Sequence, residues 1–263
     1  MQTILVMYSI LSFPVNLVLF LIWGLLVVFM WHSGRKSGFV RFMLSSGATY
    51  IAIVVFLMVC LVIGLTGYRD ITTSLPFVGF MLYFQTVLAY VILRGWREAT
   101  ATGARLGAIR WRFLFLHVGL LTAIGSAFWG APDSETYRMQ AFRSLPVSEA
   151  YDESGKVRWL DHSIVLEDFS VSYGADGIPS DYTAFLTVGD EKVDLRVNHP
   201  HSLSFGTDLY LTSYDNAAGE YCILQIVKEP WRYGALIGIV MMLAGALMLF
   251  VGGPRRRNNN IID

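Results

Sequence analysis

The sequence predicts a polytopic α-helical membrane protein of about five transmembrane helices, with a small antiparallel β-rich extracytoplasmic domain between the last two spans. Its apolar fraction is 54% and its mean hydropathy +0.51, above the roughly 45–50% apolar usage of soluble domains. The excess is gathered into long uncharged runs that no single water-soluble core absorbs. Between residues 132 and 231 the pattern changes to short alternating segments punctuated by Gly, Asp and Pro, the signature of strands and tight turns.

A hydrocarbon core about 30 Å thick needs about 20 apolar residues at 1.5 Å each. Within residues 1–131 the runs at 13–31, 44–65, 76–93 and 113–129 meet that demand, and a fifth lies within 232–252. Residues 1–11 carry no Lys or Arg, the wrong flank for a cleaved export signal, so the first run is expected to be a retained span. Were it removed or lying flat, four spans would remain and the rest would be unchanged. Pro14 and Asn16 near its outer end are tolerable at an interface.

Basic residues in short loops resist translocation and set direction. Arg35, Lys36 and Arg41 follow the first span, Arg94, Arg97, Arg105, Arg110 and Arg112 separate the third from the fourth, and Arg255, Arg256 and Arg257 lie in the tail at 253–263. The opposite side carries only Arg69 in its short loop. The N-terminus and the domain at 132–231 are therefore expected outside and the tail in the cytoplasm, in a multi-pass arrangement in the cytoplasmic (inner) membrane.

In the outer domain, 163–173 reads as a strand followed by a turn at 174–179. Segments 182–188 and 192–197 flank Gly189-Asp190-Glu191 as a hairpin, and 209–214 and 221–227 flank another at 215–219. Residues 135–143 are expected to form a short helix. The whole is expected to be a small antiparallel sheet or sandwich.

Twenty basic and twenty acidic residues leave no net charge, so a nucleic-acid partner is not expected. The two cysteines, Cys60 in an apolar run and Cys222 in the polar region, do not suggest a disulfide, and no Cys-x-x-Cys or zinc spacing occurs. No nucleophile elbow, phosphate loop or His-Glu-x-x-His is present, and Asp133, Glu135, Glu167, Asp168, Asp176 and Asp181 form no evident acid–base pair.

His117 stands out because an imidazole within a span is costly unless a partner, water or metal satisfies it. By the residues alone two readings weigh equally, a functional one as haem or metal ligand or proton relay and a structural one as an interhelical hydrogen-bonding group. His32 reads as a solvated boundary residue, and His162 as an exposed residue beginning a strand. His199 and His201 form a His-x-His pair without a third ligand at hand. Trp31, Trp96, Trp111, Trp129 and Trp231 fall at span boundaries and are expected to be interfacial anchors.

Three stretches carry a family resemblance. The first is His117-Val118-Gly119-Leu120-Leu121 running into Phe128-Trp129-Gly130-Ala131-Pro132-Asp133 and on to Met139. The second is Ile164-Val165-Leu166-Glu167-Asp168-Phe169 with Gly177-Ile178-Pro179-Ser180-Asp181-Tyr182. The third is Val197-Asn198-His199-Pro200 with 209–214, closed by Glu229-Pro230-Trp231. Over residues 112–252 the chain resembles the ResB/CcsB family of cytochrome c biogenesis membrane proteins. The resemblance implies a system II cytochrome c synthase, in which a CcsA-type membrane partner subunit and this chain move haem b across the membrane for covalent attachment to apocytochrome c. It also implies that His117 is a haem-iron ligand, with Arg110 and Arg112 as propionate contacts, and that the chain is one subunit of a haem lyase, not active alone. No Trp-Trp-Asp segment occurs, so the haem-handling segment would belong to the partner. The chain is short for the family.

The competing function is a non-catalytic membrane scaffold whose outer domain binds a partner protein. A quinone-linked cytochrome b is a third, weaker reading, since it wants histidine pairs on facing spans.

Overall fold

A computed structural model describes residues 11–33, 37–67, 69–101, 111–173, 179–215 and 219–252. They fall into two compact units, a helical one drawn from Met1–Pro132 and Arg232–Asp263 and a strand-rich one, Asp133–Trp231.

Among the described residues, five helices are long and apolar enough to cross a bilayer, which makes the chain a multi-pass membrane protein. They are α1 (Val15–Ser33), α3 (Ser46–Thr66), α4 (Leu75–Ala101), α5 (Trp111–Gly130) and α6 (Arg232–Gly252), with a short helix α2 (Gly38–Met43) before α3. Lipid is as apolar as leucine, so these helices associate through close packing and interhelical hydrogen bonds. Both devices are present. On the α5–α6 seam, a Cβ on Gly238 would lie 2.4 Å from Ala123 N and 2.6 Å from Gly119 O, and one on Gly119 would lie 2.7 Å from Gly238 O. One on Gly234 would collide with Ser126 Oγ. Only bare backbone fits there.

The other spans are stitched by polar side chains buried among apolar ones. Asn16 Nδ2 donates to the Trp129 carbonyl at 2.9 Å, Trp129 Nε1 to Gln85 Oε1 at 3.1 Å, Trp23 Nε1 to Thr86 Oγ1 at 3.0 Å and Tyr83 OH to the Ala48 carbonyl at 2.8 Å. Gln85 is fully buried, and its Nε2 is satisfied one turn back by the Met81 carbonyl. In a medium without water each such donor must find a protein acceptor. This network corrects two expectations. Trp31 and Trp129 are buried packing residues and not interfacial anchors, whereas Trp96 and Trp111 are exposed. Asn16 is buried against α5.

The second unit is one eight-stranded antiparallel sheet of order β5-β4-β3-β2-β1-β8-β7-β6. The strands are β1 (Glu135–Phe142), β2 (Val147–Asp152), β3 (Val157–Tyr173), β4 (Pro179–Val188), β5 (Glu191–Arg196), β6 (His201–Ser204), β7 (Thr207–Tyr214) and β8 (Tyr221–Lys228). The outermost strands β5 and β6 are consecutive in sequence. Eight strands about 4.8 Å apart would hold the edges of a flat sheet roughly 33 Å apart, yet the link from Arg196 to His201 reaches at most about 18 Å. The sheet is therefore rolled. Rolling lets it bury its own inner face, where Met139, Ala150, Leu166, Leu186, Leu195, Leu211, Leu224 and Ile226 are almost wholly inaccessible.

Residues 135–143 are not the helix expected. They form β1, whose inward Met139 and Ala141 alternate with outward Arg138 and Gln140, and which pairs with β8 along its whole length. Glu, Arg, Met, Gln and Ala are good helix formers, but eight ladder pairs override local propensity. The hairpin at Gly189-Asp190 forms as expected, with Gly189 at φ 59° and Val188 opposite Glu191. The turn at 174–178 lies outside the described residues.

Candidate functional site

His117 sits in the first half of α5, on a helix that starts at Trp111. Its Nδ1 lies 2.8 Å from the Phe113 carbonyl oxygen, one turn earlier. A carbonyl only accepts, so this bond requires the proton on Nδ1 and leaves Nε2 with its lone pair. Metal-ligating imidazoles are commonly oriented this way, the second nitrogen anchoring the ring to backbone or carboxylate. Among the described residues Nε2 makes no hydrogen bond.

The ring is also held from the side. Phe113 packs on it with ring centroids 4.0 Å apart and planes inclined by 30°. Phe113 in turn lies against the bare backbone of Gly95 on α4, where a Cβ would come within 2.3 Å of Cε1. Gly95, Phe113 and His117 thus form a stack from α4 outward. Leu120, Leu121 and Ile124 share that helix face at spacings of three and four, and pack on the core formed by α1, α3 and α4. His117 is half-buried.

Arg112 is half-buried and stands five residues before His117, about 140° around the helix at 100° per residue. Arg110, Arg35, Lys36, Arg105 and the tail arginines lie outside the described residues. Among the described residues no three His, Cys, Asp or Glu side chains cluster as a metal site. His117 could offer a single nitrogen donor to a metal ion or haem iron.

In the strand unit the candidate residues resolve into structural roles. His199 lies in the turn between the edge strands, donating N–H to the Arg196 carbonyl at 3.1 Å, with Asn198 before it at φ 61°. His162 is exposed within β3, which begins at Val157 and not at His162. Asp168 meets Arg143 at 3.0 Å, and the Phe169 N–H together with that guanidinium holds its carboxyl below the usual range. Asp181 pairs with Arg196, which likewise lowers it. Glu167 accepts from Thr187 at 2.9 Å, at a bulge where β3 slips against β4. Glu135 receives Tyr137 OH and Lys228 Nζ, and burial followed by the Glu135 hydrogen bond raises the Tyr137 phenol. Burial pushes the Cys222 thiol up to about 12, so it stays protonated near neutrality and is no nucleophile. Asp176 lies outside the described residues.

One contact missed in the sequence joins two quoted motifs. Trp231 Nε1 donates to Asp133 Oδ2 at 2.6 Å, closing the strand unit where the chain enters and leaves it. Gly206 packs against the same corner, its absent Cβ only 2.6 Å from Pro230 Cα. Gln85 was missed too, although a lone amide inside an apolar run was signal enough.

Residues 92–221, which include Gly95, Phe113 and His117, match the ResB-like family. Among solved structures the chain is similar to cytochrome c heme lyase CcmF, at 12% identity and a TM-score of 0.44, over 74% of this chain and 33% of that one. It thus spans about a third of that protein's length. No curated protein matches the chain. The ResB-like stretch runs from the end of α4 through α5 and across the rolled sheet to the start of β8.

Proposed function

We propose that this ResB-like chain is a haem-handling subunit of a cytochrome c biogenesis complex, and that His117 Nε2 ligates the iron of haem b carried as cargo across the membrane. The observation that supports this most is the Nδ1 hydrogen bond to the Phe113 carbonyl, which leaves an oriented lone pair on a span inside the family-matching stretch. Leu and Phe side chains around α5 suit an apolar macrocycle, and the half-open imidazole suits a pocket completed by a second subunit. That subunit would be the CcsA-type partner, and the acceptor apocytochrome c. Propionates carry negative charge, so Arg110 and Arg112 at the basic end of the span are their proposed contacts. The proposed setting is the cytoplasmic membrane, with the N-terminus and the 132–231 domain outside and the C-terminus cytoplasmic, which places His117 toward the cytoplasmic side. The chain contributes ligation and delivery, and a haem lyase activity would belong to the assembled complex.

A scaffold reading has one feature in its favour. Strands β1 and β2 pair at only two positions, Tyr137 with Asp152 and Arg138 with Tyr151. Beyond them they splay into a groove of about 550 Å³ that includes Phe142, Val147 and Glu149, where a partner segment could lie.

The two readings separate on the absorption spectrum of the chain purified together with its membrane partner. A Soret band is expected in the wild type and is lost in His117→Ala at unchanged protein level. Absence of haem from both preparations, with normal cytochrome c maturation in the variant, would contradict haem handling and leave the scaffold.

A further inference from the structure

Away from His117 the helical unit contains a cavity of about 170 Å³, whose lining includes Ser45, Ser46, Thr49, Tyr50, Tyr90 and Arg94. At about 30 Å³ per water molecule it holds the equivalent of five or six waters, enough for a phosphodiester and far too small for a porphyrin. It lies where α3 begins and α4 nears its end, at the level of a membrane boundary.

Its wall is built to receive an anion. Ser45 caps α3, its Oγ accepting from Ala48 N at 3.1 Å, which leaves the N–H groups of Ser46 and Gly47 at the positive end of a 21-residue helix. Among the described residues no acidic side chain stands in that first turn or lines the cavity. Arg94 supplies a guanidinium, and Ser46 and Thr49 supply hydroxyls. Tyr90 points independently to a ligand. It is 1% exposed and its ring stacks on Trp31 at 6.1 Å, yet among the described residues its hydroxyl is buried with no hydrogen-bond partner. A buried phenol left without an acceptor is costly, and an anionic oxygen in the cavity would supply one.

We propose that this cavity binds the phosphate of an anionic phospholipid. The adjoining surface accounts for the rest of such a molecule. Tyr50, which lines the cavity, is followed along the exposed apolar surface of α3 by Val54, Leu57 and Leu61 at helical spacing, a path open to an acyl chain. Among the described residues the wall offers no carboxylate to a choline or ethanolamine ammonium, so the site favours headgroups of net negative charge. It lies on the side of the membrane where the basic loops gather, the side on which anionic lipid attracts juxtamembrane Lys and Arg.

The test is native mass spectrometry of the full chain, exchanged from detergent into nanodiscs of phosphatidylglycerol, of phosphatidylcholine, or of an equal mixture. The chain is expected to retain phosphatidylglycerol from the mixture. Arg94→Gln lowers its retention about tenfold and Tyr90→Phe severalfold, as expected for losing a charge-assisted and a neutral hydrogen bond. Tyr90→Phe keeps the ring and its stacking, so it reports on the hydroxyl and not on folding. Equal retention of both lipids, or retention untouched by either variant, would overturn the proposal. Displacement of bound lipid by millimolar inorganic phosphate would also overturn the lipid assignment, because it would show that the acyl chains contribute nothing.

Discussion

Gly238→Leu is expected to abolish recovery of monodisperse protein from detergent. The substituted Cβ would meet Ala123 N at 2.4 Å and Gly119 O at 2.6 Å, both backbone atoms of α5 that no rotamer change can move. The helices would have to separate by more than an ångström along the seam. Gly119, Gly234 and Gly245 on the same seam also have backbone or side-chain atoms within 3.0 Å of where a Cβ would stand, so separation at one position loses contact at all of them. Overpacking a soluble core costs about 1–3 kcal/mol. Here the steric conflict adds to the loss of the close packing that drives association in lipid. Size-exclusion chromatography after solubilisation reads the result, and Gly64→Leu on α3 is the control, since a Cβ there meets nothing within 4 Å. A Gly238→Leu protein that elutes like the wild type would contradict the α5–α6 packing.

Leu224→Asp is expected to unfold the strand unit. Leu224 is fully inaccessible and sits opposite Met139 on β1 and Leu211 on β7, in the middle of the inner face. An ionised carboxylate there has no partner, at an effective cost of several kcal/mol, and truncation alone costs about 2–5 kcal/mol. Single domains are stable by only about 5–15 kcal/mol. Limited proteolysis reads the outcome as rapid cleavage within 133–231, with Leu224→Ala intermediate. Protection equal to the wild type would show that the rolled sheet does not enclose this residue.

The spans were legible because about twenty uncharged residues in a row allow few other structures. Hairpins were legible where β-branched and aromatic residues flank a glycine turn, as at Gly189. Strand β1 was not, because five of the eight residues of Glu135–Phe142 are good helix formers and the segment becomes a strand through pairing with one some eighty residues away. Strand β2 was passed over, and its ladder to β1 covers just two pairs. At the site, His117 announced itself as an imidazole in an apolar run. Its Phe113 bond is local and follows from helical spacing, but the stack onto Gly95 depends on how α4 meets α5 and leaves no trace in sequence. The same holds for Trp31 and Trp129, whose positions near span ends suggested the lipid interface while packing drew both inward. The Trp231–Asp133 bond joins positions about a hundred residues apart and was equally hidden.

Ligation of iron by His117 Nε2 is tested most directly by deleting the imidazole and returning it in solution. In the complex of this chain with its membrane partner, His117→Gly is predicted to lose the haem Soret band, and added imidazole to restore it to the wild-type position. A band that persists unchanged in His117→Gly without imidazole would mean that another residue holds the iron, and would contradict the account.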